Sequence, residues 1–210
     1  MEDVSIIIKD DSISCEEILN VVHKAFEGRL SQGMHFTAVT YDLKKIKEIV
    51  DNGTTFCAII KGKCVGTLTL NIRKDKHKKL YGYISTVAVD PSIQGRGIGY
   101  KMKASAINRA KEMQCEYILE NTSIYAKDVK RINEKFGYKI IGYASYSTTN
   151  YYSYVFRLQL SPSLVWNNAL WLRIHFFLSY IRCKMFKNPD GSYKEIWKTF
   201  ISIKDKHSLK

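Results

Sequence analysis

The chain has 210 residues, of which 45% are hydrophobic and 25% charged, a composition typical of a folded globular protein and not of a disordered one. Its formal net charge of +13 favours anionic partners such as nucleotide phosphates, nucleic acid or acidic membranes, without choosing among them. The five cysteines form no Cys-x-x-Cys pair and the start of the chain has no signal segment, so we predict free thiols, no metal site and a cytoplasmic location.

The amino-terminal part is predicted to contain a strand and two helices. A β-branched run at residues 4–8 indicates the strand. Ser14 and Glu17 form a capping-box pattern that predicts the start of the first helix, which we expect to end in a loop at residues 28–33. An apolar periodicity over residues 41–52 indicates the second helix.

A β-hairpin is predicted next. Residues 54–60 and 64–72 are two strand-like runs joined by Lys-Gly-Lys, which is suited to a tight turn. The basic tract at residues 73–79 has no interleaved aromatic residues, so we predict an exposed loop with no role in nucleic-acid binding.

The middle of the chain is predicted to form a strand–helix–strand unit. Residues 81–89 form a strand with an apolar second half, as expected of a central buried strand. A helix at 97–113 and a strand at 115–120 follow, which predicts that the two strands are parallel. The helix residues expected to face the core are Ile98, Met102, Ala106, Ala110 and Met113.

Three further elements complete the predicted fold. They are a helix at residues 127–136, which ends at Gly137, and two alternating strands at 138–145 and 151–160. The fold class is therefore α/β, with a mixed sheet flanked by helices that ends near residue 160.

The turn between the central strand and its helix is predicted to bind an anion. Gly95, Gly97 and Gly99 let the backbone turn sharply, and the N–H groups at the helix start point towards phosphate oxygens. The turn lacks the Gly-Lys-Ser/Thr ending of a nucleotide-triphosphate loop. Its glycine spacing also differs from that of the dinucleotide-binding fingerprint.

The sequence Q-x-x-G-x-G at residues 94–99, preceded by VAVDPSI, closely resembles the acetyl-CoA signature of the GCN5-related N-acetyltransferase (GNAT) family. CAIIKGKCVGTLTL is similar to the second and third strands of that family, and INEKFGYKIIGY to its closing helix and strand. The resemblance covers about residues 4–160. It implies a domain at residues 1–160 with a mixed, mostly antiparallel sheet whose central parallel strand pair is splayed.

The resemblance also implies which residues bind acetyl-CoA. Backbone groups of the fourth strand would pair with the pantetheine, the N–H groups of the glycine turn would hold the pyrophosphate, and Lys101 or Lys130 would face the ribose phosphate. The predicted coenzyme-binding residues are Val87, Ala88, Val89, Gln94, Gly95, Arg96, Gly97, Ile98, Gly99, Tyr100 and Asn133.

The catalytic pattern of the family is incomplete in this chain. Asn133 stands where the family commonly has a tyrosine that protonates the leaving thiolate, and an amide does not donate a proton at neutral pH; Tyr125 or water is the alternative. Tyr83 and Ser85 stand where a basic carboxylate is common. The predicted catalytic residues are Glu120, His35 and Asn133.

Residues 161–210 form a basic, aromatic-rich carboxy-terminal extension outside the resemblance. At helical spacing its polar side chains gather on one narrow face, and its apolar arc is broad. Packing on the domain, dimerisation and contact with a membrane interface all remain open. The residues of the polar face are Asn167, Asn168, His175, Ser179 and Arg182.

The first hypothesis for function is transfer of an acetyl group from acetyl-CoA to an amine of a small-molecule acceptor by direct attack, without metal or nucleic acid. A second is transfer of a longer acyl chain, from acyl-CoA or an acyl carrier protein, near the membrane; the basic surface would suit an acidic carrier. A third is a non-catalytic module that binds acyl-CoA.

Overall fold

The computed structural model describes residues 3–30, 33–162, 169–190, 192, 194 and 195. Seven strands form one sheet in the order β1-β2-β3-β4-β5-β7-β6, in which only β4 and β5 run parallel. The strands are β1 Ser5–Ile8, β2 Thr54–Ile60, β3 Lys63–Lys74, β4 Leu80–Val89, β5 Tyr117–Ser123, β6 Lys139–Ala144 and β7 Ser153–Gln159. The helices are α1 Cys15–Leu30, α2 Leu43–Asp51, α3 Ile98–Glu112, α4 Lys127–Lys135 and α5 Ala169–Ile181. The predicted α/β fold class, with a mostly antiparallel sheet and one parallel pair, is confirmed.

Helix α1 starts as predicted but ends later. The N–H of Ser14 donates to Oε2 of Glu17 at 3.0 Å, and the N–H of Glu17 donates to Oγ of Ser14 at 3.1 Å, which completes the capping box. The helix then continues through Gly28 to Leu30, so the predicted loop at residues 28–33 begins too early. A glycine inside a helix costs only about 1 kcal/mol relative to alanine, a penalty that packing elsewhere along the helix can outweigh.

The sheet separates two hydrophobic cores. Phe56 and Ala58 of β2 face the core that contains α3, whereas Cys57 between them faces the core that contains α1 and α2. The predicted stripe of α3 is buried except for Met113, which is 39% exposed because it lies at the carboxy-terminal cap of the helix. The stripe residues with exposures of 0–2% are Ile98, Met102, Ala106 and Ala110.

A β-bulge in β4 opens the middle of the sheet. Thr67 of β3 pairs with Ala88, and Thr69 pairs with Ser85, so β4 carries one residue more than β3 across this interval. Thr86, inside the bulge, has a φ of +53°, in the left-handed region. Because bulges bend a strand, β4 separates from β5 beyond the last parallel pair and leaves a cleft between the two strand ends.

Helix α5 covers the edge strand β6 with its polar side chains. Nδ1 of His175 donates to the carbonyl of Ile141 at 2.8 Å, and the N–H of Tyr143 donates to Oγ of Ser179 at 3.1 Å. An edge strand leaves backbone groups unpaired, so these bonds help to hold this face of α5 against β6, where the ring of Phe176 also packs on that of Tyr143.

Other predictions for the extension have mixed outcomes. Arg182 of the predicted polar face is exposed, and Asn167 and Asn168 lie outside the described residues. The apolar side chains of Leu170 and Phe177 are 67% and 60% exposed. Within the described part of the chain, no helix combines the length and apolarity needed to cross a membrane.

Candidate active site

A cavity of about 920 Å³ occupies the cleft where β4 and β5 part. One side is formed by the end of β4, the glycine turn at residues 94–99, the start of α3 and helix α4. The other side is formed by α1, residues 36–41, and residues 146–153 between and within β6 and β7. We call the first the glycine side and the second the aromatic side.

The glycine turn has the conformation that the sequence predicts. Gly95 and Gly97 have φ angles of +83° and +76°, and a Cβ built on either would meet nothing within 4 Å. The conformation, and not lack of space within the protein, therefore requires glycine at both positions. Gly97 is the N-cap of α3, so the first N–H groups of the helix have no partner within it and can bind an anion.

Gln94 supports this turn from the side. Its Nε2 donates to the carbonyl of Val89 at 3.0 Å and ties the turn to the end of β4. All of the predicted coenzyme-binding residues line the cavity except Arg96, which is exposed, and Asn133, which is fully buried behind the wall. Lys101 also lines the cavity, whereas Lys130 does not and pairs with Glu134.

Helix α4 adds cationic groups that the sequence interpretation missed. Arg131 and Lys135 line the glycine side together with Asp128 and Ile132. Arg131, Ile132 and Lys135 lie three, four and seven residues after Asp128, so the four side chains share one helix face. The same spacing was the signal in the sequence that could have identified them.

Glu120 lies at the point where the strands part. It belongs to the last parallel pair, with Ile84, and lines the cavity although only 2% of the residue is exposed. Its Oε2 accepts a hydrogen bond of 2.7 Å from Nζ of Lys103, and the side chain of Lys103 is 2% exposed. The predicted proton acceptor is therefore one half of a buried ion pair.

Lys103 also donates to Oδ1 of Asn133. Among the described residues, Nδ2 of Asn133 is buried and has no hydrogen-bond partner. The sequence interpretation missed Lys103 because lysine is rarely buried. Its spacing from Ala106, Ile107 and Ala110, which are all buried, was the available signal.

The aromatic side carries a hydrogen-bonded group of neutral side chains. Nδ2 of Asn121 donates to the hydroxyl of Tyr83 at 3.3 Å and to that of Tyr146. Burial raises the pKa of Tyr83, and burial raises the pKa of Tyr146 to about 12. Both phenols are thus protonated at neutral pH and act as hydrogen-bonding groups and not as bases.

Two distant loops are joined at the edge of the aromatic side, where Thr37 and Thr148 line the cavity. The N–H of His35 donates to Oδ1 of Asn150 at 3.0 Å, and Nδ2 of Asn150 donates to the carbonyl of Gly33 at 2.8 Å. The hydroxyls of Thr37 and Thr148 lie 2.6 Å apart. We call this junction the roof.

Besides Asn133, two further catalytic candidates do not line the cavity. His35 contributes its backbone to the roof, but the residue is exposed and does not line the cavity. Tyr125 is 58% exposed and also lies outside the lining. Of the catalytic candidates, only Glu120 lines the cavity.

The model of the acetyltransferase (GNAT) family matches residues 16–138, more than half of the chain. The chain belongs to this family. The predicted family and its acyltransferase class are therefore confirmed.

Comparison with individual proteins gives more distant similarities. The chain is 28% identical to N-alpha-acetyltransferase 30 of Xenopus laevis over 102 residues, which is 47% of this chain and 37% of that protein. The chain spans only 28–37% of the length of the curated relatives it matches.

Two solved structures have the same fold. The NatC complex bound to Gag peptide and CoA matches with a TM-score of 0.62 and 18% identity, over 77% of this chain and all of that chain. The Salmonella typhimurium protein yncA with its cofactor acetyl-CoA matches with a TM-score of 0.62 and 14% identity, over 77% and 96%. At these identities the likeness establishes the fold alone.

The comparisons overturn one prediction. We expected a small-molecule amine as the partner of the chain, but the named curated relatives are N-alpha-acetyltransferases and the NatC structure holds a peptide. The prediction of a small-molecule acceptor is wrong. It rested on the sequence alone, which contains no feature that distinguishes one amine from another.

Proposed function

We propose that this protein transfers the acetyl group of acetyl-CoA to the α-amino group of a polypeptide. The observation that carries the proposal is the two-sided cavity with Glu120 between its sides. The names of the curated relatives support an α-amino acceptor, and a similar fold has been solved with both a peptide and CoA.

The glycine side has the groups that a coenzyme A thioester requires. The free N–H groups at the start of α3 suit the pyrophosphate, and Lys101, Arg131 and Lys135 add positive charge along the same wall. The unpaired backbone of β4 beyond the bulge suits the amides of the pantetheine. Acetyl-CoA is thus the donor substrate of the proposed reaction.

The aromatic side suits a peptide better than a cationic side chain. Its described lining is uncharged apart from Glu120 at the centre, and it includes the rings of Phe36, Tyr41 and Tyr151. The hydroxyls of Tyr83 and Tyr146 are neutral donors that can bond peptide carbonyls. The roof joins two loops at the edge of this side, so we infer that a chain end enters the cavity and not the middle of a chain.

In the proposed reaction the amine attacks the thioester carbonyl directly. A C–N bond forms, the C–S bond breaks with its electron pair moving to sulfur, and the nitrogen loses a proton. Glu120, which lines the cavity, accepts that proton. The thiolate takes its proton from water, because Asn133 cannot supply one.

Release of the CoA thiol tests the proposal. Two peptides of one sequence are compared, each with one internal lysine, one with a free amino terminus and the other with a blocked one. We expect thiol release with the free peptide and background release with the blocked peptide. Equal rates with both peptides, or release with neither, would overturn the proposed acceptor.

A further inference from the structure

Lys103 is a buried cation that lines neither the glycine side nor the aromatic side of the cavity. It is 2% exposed, it does not line the cavity, and its Nζ lies 5.6 Å from the ring centroid of Tyr138. A buried ion pair is weak evidence for stability, since well-packed apolar residues of similar volume often serve a fold equally well. The pair therefore calls for a reason other than folding.

The position of Lys103 connects the three elements around the cleft. It lies on α3, the helix that begins at the glycine turn, and it bonds Glu120 on β5 and Asn133 on α4. Glu120 is the last β5 residue paired with β4, so the sheet does not hold the strand on that side beyond this point. Among the described residues, Lys103 is the one whose side chain hydrogen-bonds the carboxylate of Glu120.

We propose that Lys103 is a positioning residue, whose ammonium fixes the Glu120 carboxylate at the apex of the cleft so that this carboxylate accepts the proton of the attacking amine. Asn133 in turn fixes the ammonium through its Oδ1. This inference rests on the proposed acetyl transfer. It also gives a role to Asn133, which stands where the family resemblance implies a tyrosine.

The proton balance of this role is simple. After attack, the nitrogen of the tetrahedral adduct is positively charged, and its proton passes to the free oxygen of Glu120 while Oε2 stays bonded to Lys103. A carboxylate is a strong enough base for this step, because the positively charged nitrogen of the tetrahedral adduct is more acidic than the ammonium form of the free amine. Glu120 then returns the proton to water, and Lys103 neither gains nor loses one.

Steady-state kinetics of Lys103→Met, Glu120→Gln and the double variant test the role of Lys103, with a free-amine peptide as acceptor. We expect each single variant to lower kcat roughly 100-fold, a typical contribution of a positioned proton acceptor, with the KM for acetyl-CoA within about twofold of the wild type. Because the two residues act as a unit, the double variant should lose no more than the single ones. Lys103→Arg, which keeps the charge, should recover part of the rate.

Lys79→Met provides the matched control. Lys79 and Glu116 also lie 2.7 Å apart, but 52% and 32% of their side chains are exposed and neither lines the cavity. This variant should keep the wild-type kcat. Full kcat in Lys103→Met, or a double variant whose loss is the product of the single losses, would overturn the positioning role.

Asn133→Ala covers the case in which Lys103→Met does not fold. It keeps the ion pair and removes only the acceptor that holds Lys103, so we expect a smaller fall in kcat, on the order of 10-fold, at unchanged KM for acetyl-CoA. An unchanged kcat in this variant would count against the inference. A wild-type protein that acetylates no free α-amine would instead overturn the proposed function itself.

Discussion

Nζ of Lys103 lies 2.7 Å from Oε2 of Glu120, and only 2% and 3% of the two side chains are exposed. Removal of one partner leaves the other charge buried and unpaired, at a cost of about 3–5 kcal/mol. We therefore expect Lys103→Met to lower the free energy of unfolding by that amount in urea denaturation. Replacement of both residues, in Lys103→Met/Glu120→Leu, should recover most of the loss.

The exposed pair Lys79–Glu116 gives the comparison for this effect. Its exposure places its contribution at about 0–1 kcal/mol, so Lys79→Met should change the unfolding midpoint little. If Lys103→Met cost no more than Lys79→Met, the pair would have to be hydrated, contrary to its burial.

The second prediction concerns Gly97 and its coenzyme. Gly97 and Gly62 have φ angles of +76° and +75°, and a Cβ built on either meets nothing within 4 Å. Alanine should therefore cost a similar 1–2 kcal/mol at both positions, as expected for a left-handed residue with a Cβ. Only Gly97→Ala should also weaken CoA binding, by about 10-fold or more in calorimetry, because Gly97 lines the cavity and Gly62 does not. Equal CoA affinity in the two variants would place the pyrophosphate elsewhere.

The third prediction concerns the cations of α4. Arg131→Gln or Lys135→Gln removes a positive charge from the glycine side, and we expect the Kd for CoA to rise about 10-fold. Lys127→Gln, on the same helix but exposed and outside the cavity, makes the same charge change and should leave the Kd unaltered. A uniform effect of all three variants would indicate a general response to net charge.

The fourth prediction concerns acceptor selection. The ring centroids of Phe36 and Tyr151 lie 4.9 Å apart on the aromatic side. Phe36→Ala should raise the KM for peptides that begin with an apolar residue and leave the KM for acetyl-CoA unchanged, since an apolar side chain loses a contact surface. Tyr125→Ala, which lies outside the cavity, is the control. A rise in the KM for acetyl-CoA alone would show that Phe36 contacts the coenzyme and not the peptide.

The fifth prediction concerns alkaline pH. Burial, together with the nearby Asp75 carboxylate, raises the pKa of Tyr117 from its ordinary value of 10.0 to about 12. A folded-state pKa above the unfolded value contributes stability that is complete below pH 10 and is lost as the pH rises towards 12. The urea midpoint of the wild type should therefore fall more steeply over this interval than that of Tyr117→Phe. Parallel slopes would show that Tyr117 titrates normally.

Features with a local cause were predictable from the sequence. The glycine turn, the capping box at Ser14 and the core stripe of α3 each depend on residues within a few positions of one another. The inward face of α5 was not predicted, because its contacts are with β6, more than 30 positions away in the sequence.

In the candidate site, too, the features with local causes were predicted and those that depend on distant contacts were not. Most of the predicted coenzyme residues line the cavity, because the turn and the end of β4 are contiguous in sequence. The roof joins Gly33 to Asn150 across 117 positions, and the bond from Lys103 to Asn133 joins two helices. The pattern of side chains along one segment carries no information about such pairs, so the sequence alone does not predict the aromatic side.

The most direct test of the proposed function is to locate the transferred acetyl group. A peptide with a free amino terminus and an internal lysine is incubated with acetyl-CoA and the wild-type protein, and the product is fragmented in a mass spectrometer. We expect one added acetyl group on the α-nitrogen, and about 10-fold less of this product with Gly97→Ala at acetyl-CoA concentrations that do not saturate the variant. An acetyl group on the lysine side chain, or an unmodified peptide, would contradict it.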